Sequence, residues 1–154
     1  SRIDDGETIS GESKVNDLIS ESLNIQHKSI TRLKYKACWY NTRMNENDFL
    51  FKINKHTVGG EVKNQNGSGS KDICVIAEVS NAFKRAIKSK KHPKCNKYFI
   101  VLTGTHWTTK RGKNIIKAAR EDINIFSNFY GTKPDACKVI LIKNFSKNLK
   151  ELKK

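Results

Sequence analysis

Residues 48–63 read DFLFKINKHTVGGEVK, and the fold turns on how this stretch doubles back on itself. Phe49, Phe51 and Ile53 alternate strictly with Leu50, Lys52 and Asn54, the period of a strand with one apolar face. Asn54-Lys55 interrupts the run and residues 56–63 resume it, which predicts a two-residue hairpin. In that register Asp48 falls opposite Glu61, and cross-strand partners hold their Cβ atoms about 4.5–5.5 Å apart. Lys63, two residues beyond Glu61, shares its face. The register is sensitive: a slip of one residue would turn Asp48 to the other side, and a shifted register could promote Glu46, two residues away, in its place.

Two carboxylates that close repel each other, a poor arrangement for stability alone. A divalent cation removes the repulsion and uses both as hard oxygen ligands. Asp48 and Glu61 are therefore the expected Mg²⁺ ligands, with Mn²⁺ able to substitute. A bound Mg²⁺ polarises a phosphodiester and acidifies a water, while a neighbouring ammonium such as Lys63 offsets charge on the transition state. The competing reading of E-x-K is a pair of solvated charges on a strand.

Outward from the hairpin, Val15, Leu18, Ile19 and Leu23 recur at helical spacing, predicting a helix over 11–23 with Ser10 as N-cap. Residues 1–8 are expected to be a flexible terminus, residues 30–40 a strand, and 41–47 (NTRMNEN) a polar break. Residues 64–72 (NQNGSGSKD) predict a loop, and 73–90 a helix with Ile76, Val79, Ala82, Phe83, Ala86 and Ile87 on one face. Tyr98–Leu102 and Cys137–Ile142 have the length of buried strands, 112–126 reads as a helix, and 146–154 as a basic tail. Strands alternate with helices, so the expectation is one α/β (α+β) domain over 1–154, a mixed central sheet flanked by helices.

At this length the chain buries ~70% of its unfolded surface and needs no staples. The four cysteines form no C-x-x-C pair; Cys38, Cys74 and Cys137 sit among apolar residues, as reduced core thiols do. No stretch is long and apolar enough for a membrane helix, and no signal-peptide pattern is present, so the cytoplasm is the expected location. Thirty Lys and Arg against fifteen Asp and Glu give a net charge of +15. That excess favours a polyanion, with nucleic acid ahead of an anionic membrane surface. A surface merely rich in Lys and Asn is the plainer alternative.

The residues Asp48-Phe-Leu-Phe-Lys52 followed by Gly59-Gly-Glu61-Val-Lys63-Asn-Gln65 resemble the PD-(D/E)XK nuclease superfamily, which includes most type II restriction endonucleases. Gln65 through Asp72 is similar to the E-x-K-x-Q plus Gly-Ser segment of a subset of those nucleases. There the Gln and the loop lie near the cut phosphate. Asn47 stands where the named motif has Pro, a departure common in the superfamily. The resemblance implies a restriction-endonuclease-like core, Mg²⁺-dependent hydrolysis of double-stranded DNA and a homodimer. It assigns Asp48, Glu61, Lys63 and Gln65 to the active site. Glu12, on the first helix, corresponds to an acid that often lies near the metal in the family, and a first-turn acid complementing the helix dipole is its competing role.

Ser68, Ser70 and Lys71 are expected to offer backbone N–H groups and charge to DNA, and Lys84, Arg85 and Lys88 to line its channel. His106-Trp107 is expected to be packing or a turn. Other functions compatible with the sequence are a structure-specific nuclease such as a Holliday-junction resolvase, and a basic nucleic-acid-binding module without catalysis.

Overall fold

The computed structural model describes residues 3–38, 41–67, 70–87 and 95–154, with side chains described for 11–32, 47–67, 71–87 and 95–154. Trp39, Tyr40, Ser68 and Lys88, and the side chains of Glu46 and Ser70, lie outside that description. Helix α1 (Ile3–Leu23) leads into strands β1 (Thr31–Cys38), β2 (Asn41–Ile53) and β3 (His56–Asn64). Helix α2 (Cys74–Asn81) continues as a π-helical turn, Ala82–Ile87, followed by β4 (Lys97–Thr103), α3 (Lys110–Tyr130), β5 (Cys137–Leu141) and α4 (Ile142–Glu151). The result is an α/β fold in which four helices pack around one mixed five-stranded sheet of order β1-β2-β3-β4-β5. Strands β1 to β3 are antiparallel neighbours, whereas β3, β4 and β5 run parallel.

The hairpin forms in the expected register, with Phe49↔Gly60, Phe51↔Val58 and Ile53↔His56 as partners. Asn54, at φ +53°, supplies the left-handed turn residue, a conformation Asn tolerates better than most. Gly60 has a different duty. A Cβ there would sit 2.1 Å from Phe49 Cζ and 2.3 Å from the Phe99 carbonyl oxygen, so the second strand must carry no side chain where Phe49 crosses it.

Strand β4 is apolar throughout because it is covered on both sides. Tyr98, Ile100 and Leu102 pack with Val75, Val79 and Phe83 of α2 and its π-turn and with Ile116 and Ile123 of α3. Phe99 and Val101 pack with Val15 and Ile19 of α1 and with Phe145 and Leu149 of α4. Since Glu61 pairs with Ile100 and Lys63 with Leu102 in parallel register, both side chains stand on the α2–α3 face.

Several local expectations are corrected. Residues 3–8 and Ser10 lie inside α1 rather than before it. The polar stretch 41–47 is strand, not break: its backbone pairs with β1 from Leu33↔Asn47 to Cys38↔Asn41. A long polar strand is stable there because its ladder is completed by a neighbour that composition does not reveal. The supposed basic tail belongs to α4, whose Phe145 and Leu149 are buried with the capping Leu152 at helical spacing while its lysines are exposed. Cys74 is exposed, whereas Cys95 and Cys137 are buried. Among the described residues no helix is long and apolar enough to cross a membrane.

Candidate active site

The β1–β2 ladder slips where the acids begin. Thr31 pairs with Leu50 and Leu33 with Asn47, so Arg32 alone faces both Asp48 and Phe49. This two-against-one count is a β-bulge, and bulges re-aim side chains. Phe49 keeps its place in the α1–α4 core. Asn47, which strict alternation would put on that same face, instead turns toward α2. Its Nδ2 donates to Glu61 Oε2 at 2.6 Å and to Tyr98 Oη at 2.7 Å, and lies 3.3 Å from Glu78 Oε1.

Asp48 aims at the β3 backbone. Its Oδ2 accepts the Val62 N–H at 2.7 Å, just past the last ladder pair, while Arg32 Nη1 lies 3.8 Å from its other oxygen. On its far side stands Glu12 of α1, close enough to share a hydrogen bond with Asp48 and held by Arg32 Nη2 at 3.2 Å. The expected pairing of Asp48 with Glu61 on one open face is thus modified. The two acids sense each other's charge, but the bulge places Asn47, not Asp48, in hydrogen bond with Glu61.

Glu78 is the acid that sequence reasoning missed. It projects from α2, accepts a 2.7 Å hydrogen bond from the Tyr98 hydroxyl through Oε1, and approaches Lys63 Nζ at 3.8 Å through Oε2. Its signal in the sequence is faint: a lone acid among Val75, Ile76 and Val79 on the first turns of a buried helix. Glu12, Asp48, Glu61 and Glu78 therefore succeed one another around the end of β3, with Arg32 and Lys63 as the cations beside them.

This arrangement is short of positive charge. Burial, then the charges of Asp48 and Glu78, push the Glu61 carboxyl up to about 8, against the opposing pull of Asn47 and Lys63. Burial and Asp48 likewise raise Glu12. Asn47 Oδ1 is buried without a hydrogen-bond partner among the described residues. Carboxyls in this position hold protons or a cation. Among the described residues no three acidic, His or Cys side chains already form a metal cage. The donor set still suits Mg²⁺, which characteristically uses one or two carboxylates and completes its shell with water and substrate phosphate.

Gln65 follows Lys63 where β3 ends. Its N–H donates to the Thr103 carbonyl at 3.0 Å and its carbonyl accepts from His106 N–H at 3.1 Å, so the main chain is fixed and the side chain is half-buried beside the acids' strand. Lys71 is exposed on the turn Ser70–Ile73. Lys84 (exposed) and Arg85 (half-buried) lie on the π-turn after α2. His106 and Trp107 are buried, Trp107 within the α2–α3 core and His106 against Asp72.

Comparison with protein-family models, with curated proteins and with solved structures finds no match to this chain.

Proposed function

We propose that this chain is a Mg²⁺-dependent endonuclease acting on double-stranded DNA, a restriction-like nuclease of the PD-(D/E)XK kind. The observation that carries the reading is the grouping of Asp48, Glu78 and Lys63 about Glu61, which is held in a state that a cation would relieve. Asp48 and Glu61 would hold the ion, with Glu12 the outermost acid of the set. When bound, the ion supplies Lewis acidity at a phosphodiester oxygen.

The remaining work belongs to the protein. Lys63, with Glu78 fixing where its ammonium lies, offsets charge on the phosphorane transition state and orients the attacking water. Asn47 orients the Glu61 carboxylate by donating to its Oε2. Gln65, on a main chain pinned at both ends, contacts the phosphate backbone or the water. The +15 charge draws the substrate in. Cleavage at a palindromic site by a homodimer in the cytoplasm completes the reading.

A non-catalytic nucleic-acid-binding module is the second reading. It is favoured by a Glu61 already hydrogen-bonded to Asn47 and by the lack, among the described residues, of a ready three-ligand cage. Incubation of supercoiled plasmid, a four-way junction and single strands with Mg²⁺, Mn²⁺ or EDTA separates the two and identifies a junction-specific enzyme if that is the substrate. Cutting should require the metal, and Lys63→Ala or Glu61→Gln should slow it by more than about 100-fold while the melting profile persists. Wild-type rates in either variant would refute the assignment.

A further inference from the structure

Beyond the carboxylates, a second charged group sits where water is excluded. Asp72, on the turn that follows the Gly-Ser loop, has no exposed surface. It accepts from Arg111 Nε at 2.6 Å and Nη2 at 3.1 Å, and from His106 Nε2 at 2.9 Å. Asp72 is buried but Arg111 is largely exposed, and an ion pair open to solvent on one side adds little net stability, so stability alone is a weak reason to keep it.

What the pair does accomplish is orientation. Arg111 is 60% exposed although its guanidinium is locked in plane by Asp72. A guanidinium carries five N–H donors, and Asp72 engages two of them. The outer edge of the fork is left facing solvent with little rotamer freedom still to lose on binding an anion.

The position of this fork ties it to the candidate site. Turn Thr105–Thr108, which supplies His106, is bonded to the exit of β3: His106 N–H donates to the Gln65 carbonyl at 3.1 Å and Thr105 N–H to Asn66 Oδ1 at 3.0 Å. Gly104 adopts φ +94°, and a Cβ there would lie 2.2 Å from the Gln65 carbonyl oxygen, so the two backbones touch. Gln65 is two residues beyond Lys63. Lys71, Lys110 and Lys113 are exposed around the fork, and neither 62–71 nor 105–120 contains an acidic residue.

We propose that Arg111, aimed by Asp72 and His106, is a phosphate-backbone contact for nucleic acid lying across the end of the sheet that carries Lys63. Lys71 and Lys110 flank it. The inference rests on the nucleic-acid part of the preceding reading and not on cleavage.

The test is binding of a short DNA duplex in EDTA across a salt series, with melting curves as the check on folding. Arg111→Gln should weaken affinity several-fold and make the log–log salt slope shallower by about 0.9, the contribution of one phosphate. Lys150→Gln removes an equal charge from the last turn of α4, beside the Asn54 hairpin at the opposite end of the sheet, and should leave the slope unchanged. Should Arg111→Gln fail to fold, Arg111→Lys takes its place. It keeps the charge on Asp72 but lacks the fork, and should lose affinity several-fold.

A wild-type slope in Arg111→Gln, wild-type affinity in Arg111→Lys, or a slope change equal to that of Lys150→Gln would each overturn the proposal. So would a wild-type protein that binds no duplex. Wild-type protein that binds but never cuts with Mg²⁺ would refute the nuclease reading and leave this contact standing.

Discussion

Glu61 is the side chain whose surroundings constrain the chemistry most. Its carboxyl is raised to about 8 by burial and by Asp48 and Glu78, whereas in the unfolded chain it titrates near its ordinary value of 4.5. A carboxyl raised in this way contributes stability that is fully present below the unfolded value and is lost as pH rises through the folded one. The metal-free protein should therefore lose melting temperature between about pH 5 and pH 9, and Glu61→Gln should flatten that limb. Because a cation binds the ionised form, Mg²⁺ should raise the melting temperature more at pH 9 than at pH 6. Thermal melts over that range, with and without Mg²⁺, decide it; a pH-independent Mg²⁺ effect would assign the ion elsewhere. Glu61 and Lys63 were legible because two-residue periodicity sets their common face. Asn47, Glu78 and Tyr98 were not: Asn47 reaches Glu61 and Glu78 reaches Lys63 from other elements, Tyr98 joins the two from a third, and no local pattern records the meeting.

Strand β2 and helix α4 illustrate how elements escape or obey local reading. Periodicity in 49–53 and the turn at Asn54 set the hairpin register, which the fold keeps. The bulge opposite Arg32 has no such signature, since it arises from the pairing of β2 with β1. Helix α4 is the reverse case: Ile142, Phe145, Leu149 and Leu152 are helically spaced, but their lysine-rich surroundings masked them. Phe145 is fully buried, with its ring centroid 6.3 Å from that of Phe49 and 6.4 Å from that of Phe99. Phe145→Ala should cost about 3–5 kcal/mol in denaturant unfolding, by lost transfer energy plus the cavity left behind. Because α4 supports the face behind the hairpin, DNA affinity should be retained wherever the variant is folded. A cost below about 1 kcal/mol would mean that α4 is not docked.

Across the whole molecule, one central sheet separates two apolar clusters, and charge collects where the parallel strands end. Asp72 braces that end by joining the turn before α2 to the start of α3. The Arg111 and His106 hydrogen bonds hold its carboxyl down to about 2, from an ordinary value of 3.8. A depressed carboxylate contributes stability present above its unfolded pKa and lost as pH falls through the folded one. Acid unfolding should thus steepen between about pH 4 and pH 2, and Asp72→Asn should blunt that segment in circular-dichroism melts. An unchanged acid limb would show that the ion pair is not formed in solution.

Composition and spacing already contained the α/β class, the hairpin register, the buried strand at 98–102 and the common face of Glu61 and Lys63. These follow from short-range alternation and from the need to bury apolar side chains, properties of neighbouring residues. The turn of Asn47 toward Glu61, the arrival of Glu78 beside Lys63 and the clamp on Arg111 came only with assembly. Each joins residues at least fourteen positions apart, brought together by strand pairing and helix docking that local sequence does not encode.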